Sequence, residues 1–303
     1  MEWLRAMRIF VGVVQSGSLS SAGRQLGLSP GSVSRQISAL EESLGARLLN
    51  RTSRKLTLTE AGELYCAKVE QILHLVGDAN EGVAQLQSAP RGTLRVHSRM
   101  LVGQKIIVPA LPRFLSQYPE VKIDLHLSNH VVDLVAQNID VDIRIGKLLD
   151  SSLIARKLSS SQRIVCASAD YLARHPKIEV PSDLTAHNCL TYRINLGHTV
   201  WRFLDQDDVL EEVPVTGNLQ SDNGLALLEA TLAGVGIALM PDWSIRHDLA
   251  SGRLRRLFAK HRVSHVDFEN GVYAVYQSSR HVSAKLRVFV EFLAQAFKQH
   301  LAS

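Results

Sequence analysis

The sequence predicts an α plus α/β chain in three parts: a small helical module closed by a short hairpin, one long helix, and a C-terminal domain of two α/β lobes. Three observations carry the prediction. Apolar residues recur at three- and four-residue spacing as far as Leu44, the same spacing runs unbroken from Tyr65 to Leu86, and from residue 91 onward short strands alternate with helical stripes. At 303 residues the chain is about twice the usual single-domain length, which agrees with more than one folded unit.

Leu4, Met7, Phe10, Val11 and Val14 form one stripe of a first helix that stops at Gln15-Ser16-Gly17. Ser18 is placed to cap a short second helix, with Leu19, Ala22 and Leu26 inward and Gly27 as a left-handed C-cap. Ser29 caps a third helix, Pro30 sits where its missing N–H is harmless, and Val33, Ile37, Leu40 and Leu44 form the buried stripe. The opposite face carries Ser32, Ser34, Arg35 and Gln36. The run from Arg47 to Leu58 then reads as a basic two-stranded wing.

Two short helices across a glycine turn, the second polar and basic at its start, are what reading a major groove requires. Arg35 and Gln36 can donate to base edges, while Ser18, Ser20, Ser29 and Ser32 and the helix amino end suit phosphate oxygens. Charge agrees. The net charge is +5, and residues 1–60 hold eight Lys/Arg against four acids while the remainder is nearly balanced, so the excess lies where it can meet a polyanion.

Residues 16–62, SGSLSSAGRQLGLSPGSVSRQISALEESLGARLLNRTSRKLTLTEAG, resemble the DNA-binding domain of the LysR-type bacterial transcription regulators over that whole run. Ser34, Arg35, Gln36, Arg51, Arg54 and Thr59 match positions typical of that family. The resemblance implies a winged helix-turn-helix in which Ser34 and Arg35 contact DNA and the wing residues Arg51 and Arg54 hold its backbone. Pro30 departs from the family, which often has glutamine at the start of the recognition helix, so one polar contact is absent there.

From Thr59, with Glu60 and Glu63 in the first turn, a helix is expected to run to Pro90. Tyr65, Val69, Ile72, Val76, Ala79, Val83 and Leu86 alternate spacings of four and three, a narrow heptad seam suited to a partner helix and hence to dimerisation.

After Pro90-Arg91-Gly92 strands are expected at Thr93–Val96, Val121–Leu127 and Val141–Ile145, with helices at Ile107–Leu115 and Val131–Val135, implying a mostly parallel sheet. A second set follows: strands at 163–167, 189–193, 200–203, 213–219 and 236–239 and a helix at 225–233. A late strand at 272–276 and a closing helix at 282–297 complete the domain. Open α/β sheets bind ligands beyond their strand ends, and two lobes put the site between them. The strand ends offer Ser98, Arg99, Ser128, Asn129, Arg144 to Lys147, Arg193 to Asn195, Ser221 and Asp222, chemistry that suits a polar or anionic small molecule.

RGTLRV, LPRFLSQYPEVKIDLHLS, DIRIGKLLDSSLIARKL, NCLTYR and AGVGIALMPDW resemble the effector domain of the same family, which implies a two-lobe, periplasmic-binding-protein-like fold. In such regulators a Ser or Thr opening the helix after the first strand holds an effector carboxylate. Met100 and Leu101 stand there, so either Ser98 or Arg99 takes that role or the ligand is less acidic than the family's usual ones.

The expected domains are 1–58 for DNA binding, 59–89 for the linker and dimerisation helix, and 90–303 for the effector. Within the last, lobe I takes about 91–161 and 267–303, and lobe II about 162–266. Expected partners are a double-stranded DNA operator, the effector, a second copy in a homodimer extending to a homotetramer, and RNA polymerase. No cofactor, metal site or catalytic set is expected: Walker A, HExxH and GxSxG motifs are absent and the twelve histidines lack ligand spacing. A periplasmic binding protein would need an export signal and leave residues 1–60 without a use, and an α/β enzyme would need that catalytic set. No apolar run reaches the ~20 residues of a membrane span. Three cysteines without CxxC spacing fit the cytoplasm, with Cys166 and Cys189 as a conceivable redox pair.

Overall fold

In a computed structural model residues 2–51, 56–84, 89–146, 153–193, 199–266, 268, 271–277 and 282–302 are described. They divide into two compact units, one drawn from Met1–Ser88 with Val135–Asn138, the other from Ala89–Leu134 with Ile139–Ser303.

The first unit is built from α1 (Glu2–Ser16), α2 (Leu19–Leu26), α3 (Pro30–Leu44), β1 (Leu49–Arg51), β2 (Leu56–Leu58) and α4 (Glu60–Ala84). Ser18 Oγ accepts from Ser21 N at 3.4 Å and Ser29 Oγ from Ser32 N at 3.2 Å, so both expected caps form. Gly27 takes φ 66°, the left-handed conformation that ends α2 and turns the chain into α3. Ile9, Phe10, Val13, Ala22, Val33, Ile37 and Leu40 close the core. Leu26 and Leu44, expected inward, are exposed, each in the last turn of its helix.

The linker helix is expected to run to Pro90. It is described to Ala84, with residues 85–88, including Leu86, outside the described set, as are the side chains of Ala79 and Val83. Its first turn packs on the wing, where a Cβ on Gly62 would meet the Leu48 carbonyl oxygen at 2.0 Å. The seam needs correction. Val69 is fully buried and Tyr65 half-buried in the core of their own chain, Tyr65 lying edge-on to Phe10 at 5.5 Å. Among the described side chains of this helix, the apolar ones left outward are Leu64 at 67%, Ile72 at 39% and Leu75 at 64% exposure, with Val76 half-buried.

In the second unit one sheet is ordered β4-β3-β5-β15-β6, from β3 (Gly92–Ser98), β4 (Val121–Leu127), β5 (Val141–Gly146), β6 (Leu153–Ser160) and β15 (Gly271–Gln277). Between β3 and β4 run α5 (Met100–Val102), a π turn at Gly103–Ile107 and α6 (Val108–Gln117). The other sheet is ordered β10-β9-β14-β7-β12-β8-β11, with β13 also on β7. It contains β7 (Arg163–Ser168), β8 (Cys189–Tyr192), β9 (Thr199–Leu204), β10 (Leu210–Val215), β11 (Gln220–Ser221), β12 (Ile237–Pro241), β13 (Leu254–Leu257) and β14 (Arg262–Ser264). Around it lie α7 (Ala169–Arg174), a 3-10 turn (Pro181–Ala186), α8 (Gly224–Leu232) and α9 (Asp242–Ala250), and α10 (Ala284–Ala302) closes the unit.

Both sheets are mixed, which overturns the mostly parallel expectation. Among the described residues parallel pairing is confined to β3 with β4 and β5, and to β8 with β11 and β12. The connection between β9 and β10 is too short for a crossover helix, so those strands form a hairpin, and β15 returns from the second lobe to lie antiparallel between β5 and β6. Residues 131–135, expected as helix, form an irregular turn with Val132 and Leu134 buried and Val131 and Val135 exposed. Of the strand expected at 213–219 only 213–215 is strand, as the end of β10, and β11 begins beyond it at Gln220.

Candidate nucleic-acid interface and ligand cleft

At the amino end of α3, Ser29, Pro30, Gly31 and Arg35 are exposed and Ser32, Ser34 and Gln36 half-buried; Ser20 is exposed on α2 and Ser18 is half-buried at its start. A helix amino end bearing an arginine and several hydroxyls can take phosphate oxygens and reach base edges.

The wing is tied to the helices that precede and follow it, α3 and α4. Glu41 Oε1 accepts from Leu48 N at 2.8 Å and Leu49 N at 3.0 Å, and Thr59 Oγ1 donates to Arg47 O at 2.6 Å while accepting from Gly62 N at 2.9 Å. A single carboxylate therefore fixes β1 to α3, and a single hydroxyl fixes the wing to α4. The side chain of Arg51 and all of Arg54 lie outside the described residues.

The second unit holds a cavity of about 330 Å³ between its two sheets. The first lobe supplies Arg99, Leu101, Asn129, Ile145 and Gly146 to its wall, and the second supplies Arg163, Tyr192, Gly224, Leu227, Leu239, Met240, Pro241, His265 and Val266. Of the strand-end residues singled out from sequence, Arg99 and Asn129 line it, joined by a short hydrogen bond from Arg99 Nη1 to Asn129 O.

The other candidates are elsewhere. Ser98 is fully buried with Oγ on the Arg99 carbonyl at 3.2 Å. Ser128 Oγ meets His97 Nε2 at 2.9 Å, His97 Nδ1 meets Asp142 Oδ1 at 2.7 Å, and Arg144 Nε donates to Asp142 Oδ2 at 2.6 Å. The order Ser–His–Asp is that of a hydrolase triad, but Ser128 is not on the cavity wall and its amide is held by Ser98 O at 3.1 Å, so the chain braces the ends of β3, β4 and β5. Ser221 Oγ accepts from Asn223 N at 3.0 Å, Arg193 and Asp222 are exposed away from the wall, and Lys147 and Asn195 are outside the described residues.

Arg163, Tyr192 and His265 are cleft residues that strand-end reasoning missed. β7 runs antiparallel to β12, so it is the amino end of β7 that opens on the cleft. The available signal was a lone arginine heading the apolar run Ile164-Val165-Cys166-Ala167. Burial lowers Arg163 to about 10, against the opposing pull of Tyr192 and Asp242. His265 is pushed down to about 3 by burial and then by Arg163, so its imidazole is neutral at physiological pH. Burial raises Tyr192, partly offset by Arg99.

Cys166 and Cys189 are buried thiols, each pushed up to about 12 by burial. They sit on β7 and β8 with β12 between them, Ala238 facing Cys166 and Ile237 facing Cys189. Two strand spacings are about 9–10 Å, beyond the ~7 Å Cα limit of a disulfide. The redox pair is therefore excluded in this fold. Among the described residues no helix is long and apolar enough to cross a membrane.

Residues 4–63 match the family described as bacterial regulatory helix-turn-helix protein, lysR family, and residues 87–298 match the LysR substrate binding domain. The chain is 40% identical over 289 residues to an HTH-type transcriptional regulator of Xanthomonas campestris pv. campestris, covering 94% of this chain and 83% of that protein. It is 34% identical over 299 residues to the HTH-type transcriptional regulator DmlR of Escherichia coli K12, covering 98% and 95%. Among solved structures it is similar to CrgA, a LysR-type transcriptional regulator from Neisseria meningitidis, with TM-score 0.63, 33% identity and coverage of 97% and 98%. It is also similar to the full-length Vibrio cholerae virulence activator AphB, with TM-score 0.63, 30% identity and coverage of 96% and 98%.

Proposed function

The chain belongs to the lysR family of bacterial helix-turn-helix regulators, DNA-binding transcriptional regulators with an effector-binding domain, and from that premise we propose how its residues divide the work. Residues 1–58 read DNA, 59–89 dimerise and 90–303 sense the effector. Arg35, with Ser34 and Gln36, reads base edges; Ser18, Ser20, Ser29, Ser32, Arg51 and Arg54 hold phosphates. The exposed amino end of α3, a helix whose carboxyl end Glu41 anchors to the wing, is the observation that carries this assignment.

The effector occupies the cleft between the lobes, and its binding changes the spacing or angle of paired DNA modules. Leu64, Ile72 and Leu75 present the apolar face on which a second linker helix pairs. The assembly is a homodimer, doubled in a homotetramer, that works in the cytoplasm with RNA polymerase as its protein partner and acts by binding rather than by catalysis. The regulator names of its relatives support that last point.

Substitution on DNA tests the division of labour. Arg35→Ala is expected to cost about 1–3 kcal/mol on the specific site alone, whereas Arg54→Ala weakens all sequences alike and lowers the salt slope by about one unit. Equal losses on specific and random DNA from both variants would reject it.

A further inference from the structure

A second, smaller cavity of about 150 Å³ lies wholly within the second lobe, where the turn between β13 and β14 meets the start of β7. Arg163, Arg256, Lys260 and Arg262 all reach its wall, which holds no Asp or Glu among the described residues. Arg256, Lys260 and Arg262 are exposed and make no ion pair with any described residue, whereas Arg253, one turn of sequence away, is paired with Asp248. Two carboxylates of the surrounding strands are engaged elsewhere. Asp242 Oδ1 accepts from Gln162 N at 3.0 Å. Asp205, next to the Leu204 that faces Arg262, accepts from Asp207 N at 2.9 Å and Val209 N at 2.8 Å in its own hairpin.

The charges stand on a fixed frame. Phe258 takes φ 54°, a left-handed conformation rare for an aromatic residue, and its ring lies edge-on to Phe203 at 5.3 Å. His261 N closes the turn on Phe258 O at 3.0 Å, and the half-buried His261 ring stands edge-on to both phenylalanines. The Arg262 guanidinium lies 5.4 Å from the centre of the Phe268 ring, and Arg256 Nη2 donates to Ala259 O at 3.4 Å, leaving its other N–H groups to the cavity. A merely solvated basic face spreads its charges apart. Four of them around so small a space repel one another, and an anion between them relieves that repulsion.

We propose that this cavity binds a phosphate group, with Arg256, Lys260 and Arg262 as the residues that hold it. A phosphate monoester carries up to two negative charges and three acceptor oxygens at neutral pH, which matches several cations better than a carboxylate does. Guanidinium groups meet its oxygens in pairs, and the ammonium adds a point charge. The cavity is about half the volume of the smallest usual ligand pockets, so it takes the phosphate itself while any organic body stays in solvent. Half-buried Arg163 forms the wall shared with the cleft, but the site stands apart from the effector reading and does not depend on it.

The test uses the full chain with inorganic phosphate, glycerol 3-phosphate and glycerol as probes, at an ionic strength held constant with sodium chloride. Binding is read by calorimetry and located by hydrogen exchange. At least one phosphate is expected to bind at millimolar concentration or below while glycerol does not, with added protection confined to peptides covering residues 256–263. The double variant Arg256→Gln, Lys260→Gln changes exposed side chains only. It is expected to weaken phosphate binding about 10-fold or more, the range for hydrogen bonds to a charged group, and to melt no lower than the wild type without ligand. Arg35→Ala, in the DNA-binding module, is expected to bind phosphate as the wild type does.

No phosphate binding above that of chloride, protection that appears only in the N-terminal unit, or undiminished binding by the double variant would each overturn the proposal. A loss of affinity for random DNA in the double variant would assign the patch to the nucleic-acid backbone and overturn it as well. Given binding at 256–263, a tighter glycerol 3-phosphate assigns the site to a phosphorylated metabolite, and a tighter inorganic phosphate assigns it to the free ion.

Discussion

Val69 and Leu75 lie six residues apart on the linker helix and do opposite things. Val69 is fully buried against α1 in its own chain, and Leu75 is 64% exposed. Val69→Ala removes two buried carbons, worth about 0.8 kcal/mol each in transfer, plus the cavity they leave, for a loss of about 2–3 kcal/mol. That loss falls on the N-terminal unit alone. Hydrogen exchange read by mass spectrometry reports each unit separately, and the amides of α1 and α3 are expected to lose protection by about 30- to 150-fold. Leu75→Ala removes a side chain that is mostly in water and substitutes a good helix former, so the same amides are expected to keep their protection while sedimentation shows a weaker dimer. Dissociation of the dimer by Val69→Ala at undiminished protection, or loss of protection in Leu75→Ala, would refute the assignment.

Glu41→Ala leaves the Leu48 and Leu49 amides without their carboxylate, an expected cost of about 2–4 kcal/mol to the same unit; unchanged urea unfolding would contradict it. His265 gives a pH signature: its folded-state value lies near 3 and its ordinary value near 6.5, so the stability it contributes is complete above pH 6.5 and is lost as pH falls from there toward 3. By pH 5.5 the loss is about 1 kcal/mol, allowing for partial exposure. His265→Gln should flatten the fall in melting temperature between pH 7.5 and 5.5, and an equal fall in both proteins would count against a buried neutral imidazole.

The N-terminal module was legible nearly residue by residue because its signals are local. Ser18, Gly27, Ser29 and Pro30 act within one turn of their own positions, and each does what its chemistry dictates. The seam was misread where packing, not period, decides: Tyr65 and Val69 satisfy a heptad, yet α1 reaches them first. The cleft was read only in part for a topological reason. Strand ends point to a ligand when strands run parallel, and Arg99 and Asn129 follow β3 and β4, which do. Arg163 begins a strand that runs the other way, and which way β7 runs is fixed by pairings with β12, β13 and β14 that lie far away in sequence.

The most direct test of the whole account is a fluorescence-anisotropy titration of the full chain against DNA from beside its own gene and against random DNA of equal length, at two salt concentrations. A preference of about 10³ or more for the former, with an affinity that falls as salt rises, is the predicted result. No preference at either salt, together with no enriched sequence in a genome-wide binding selection, would contradict it.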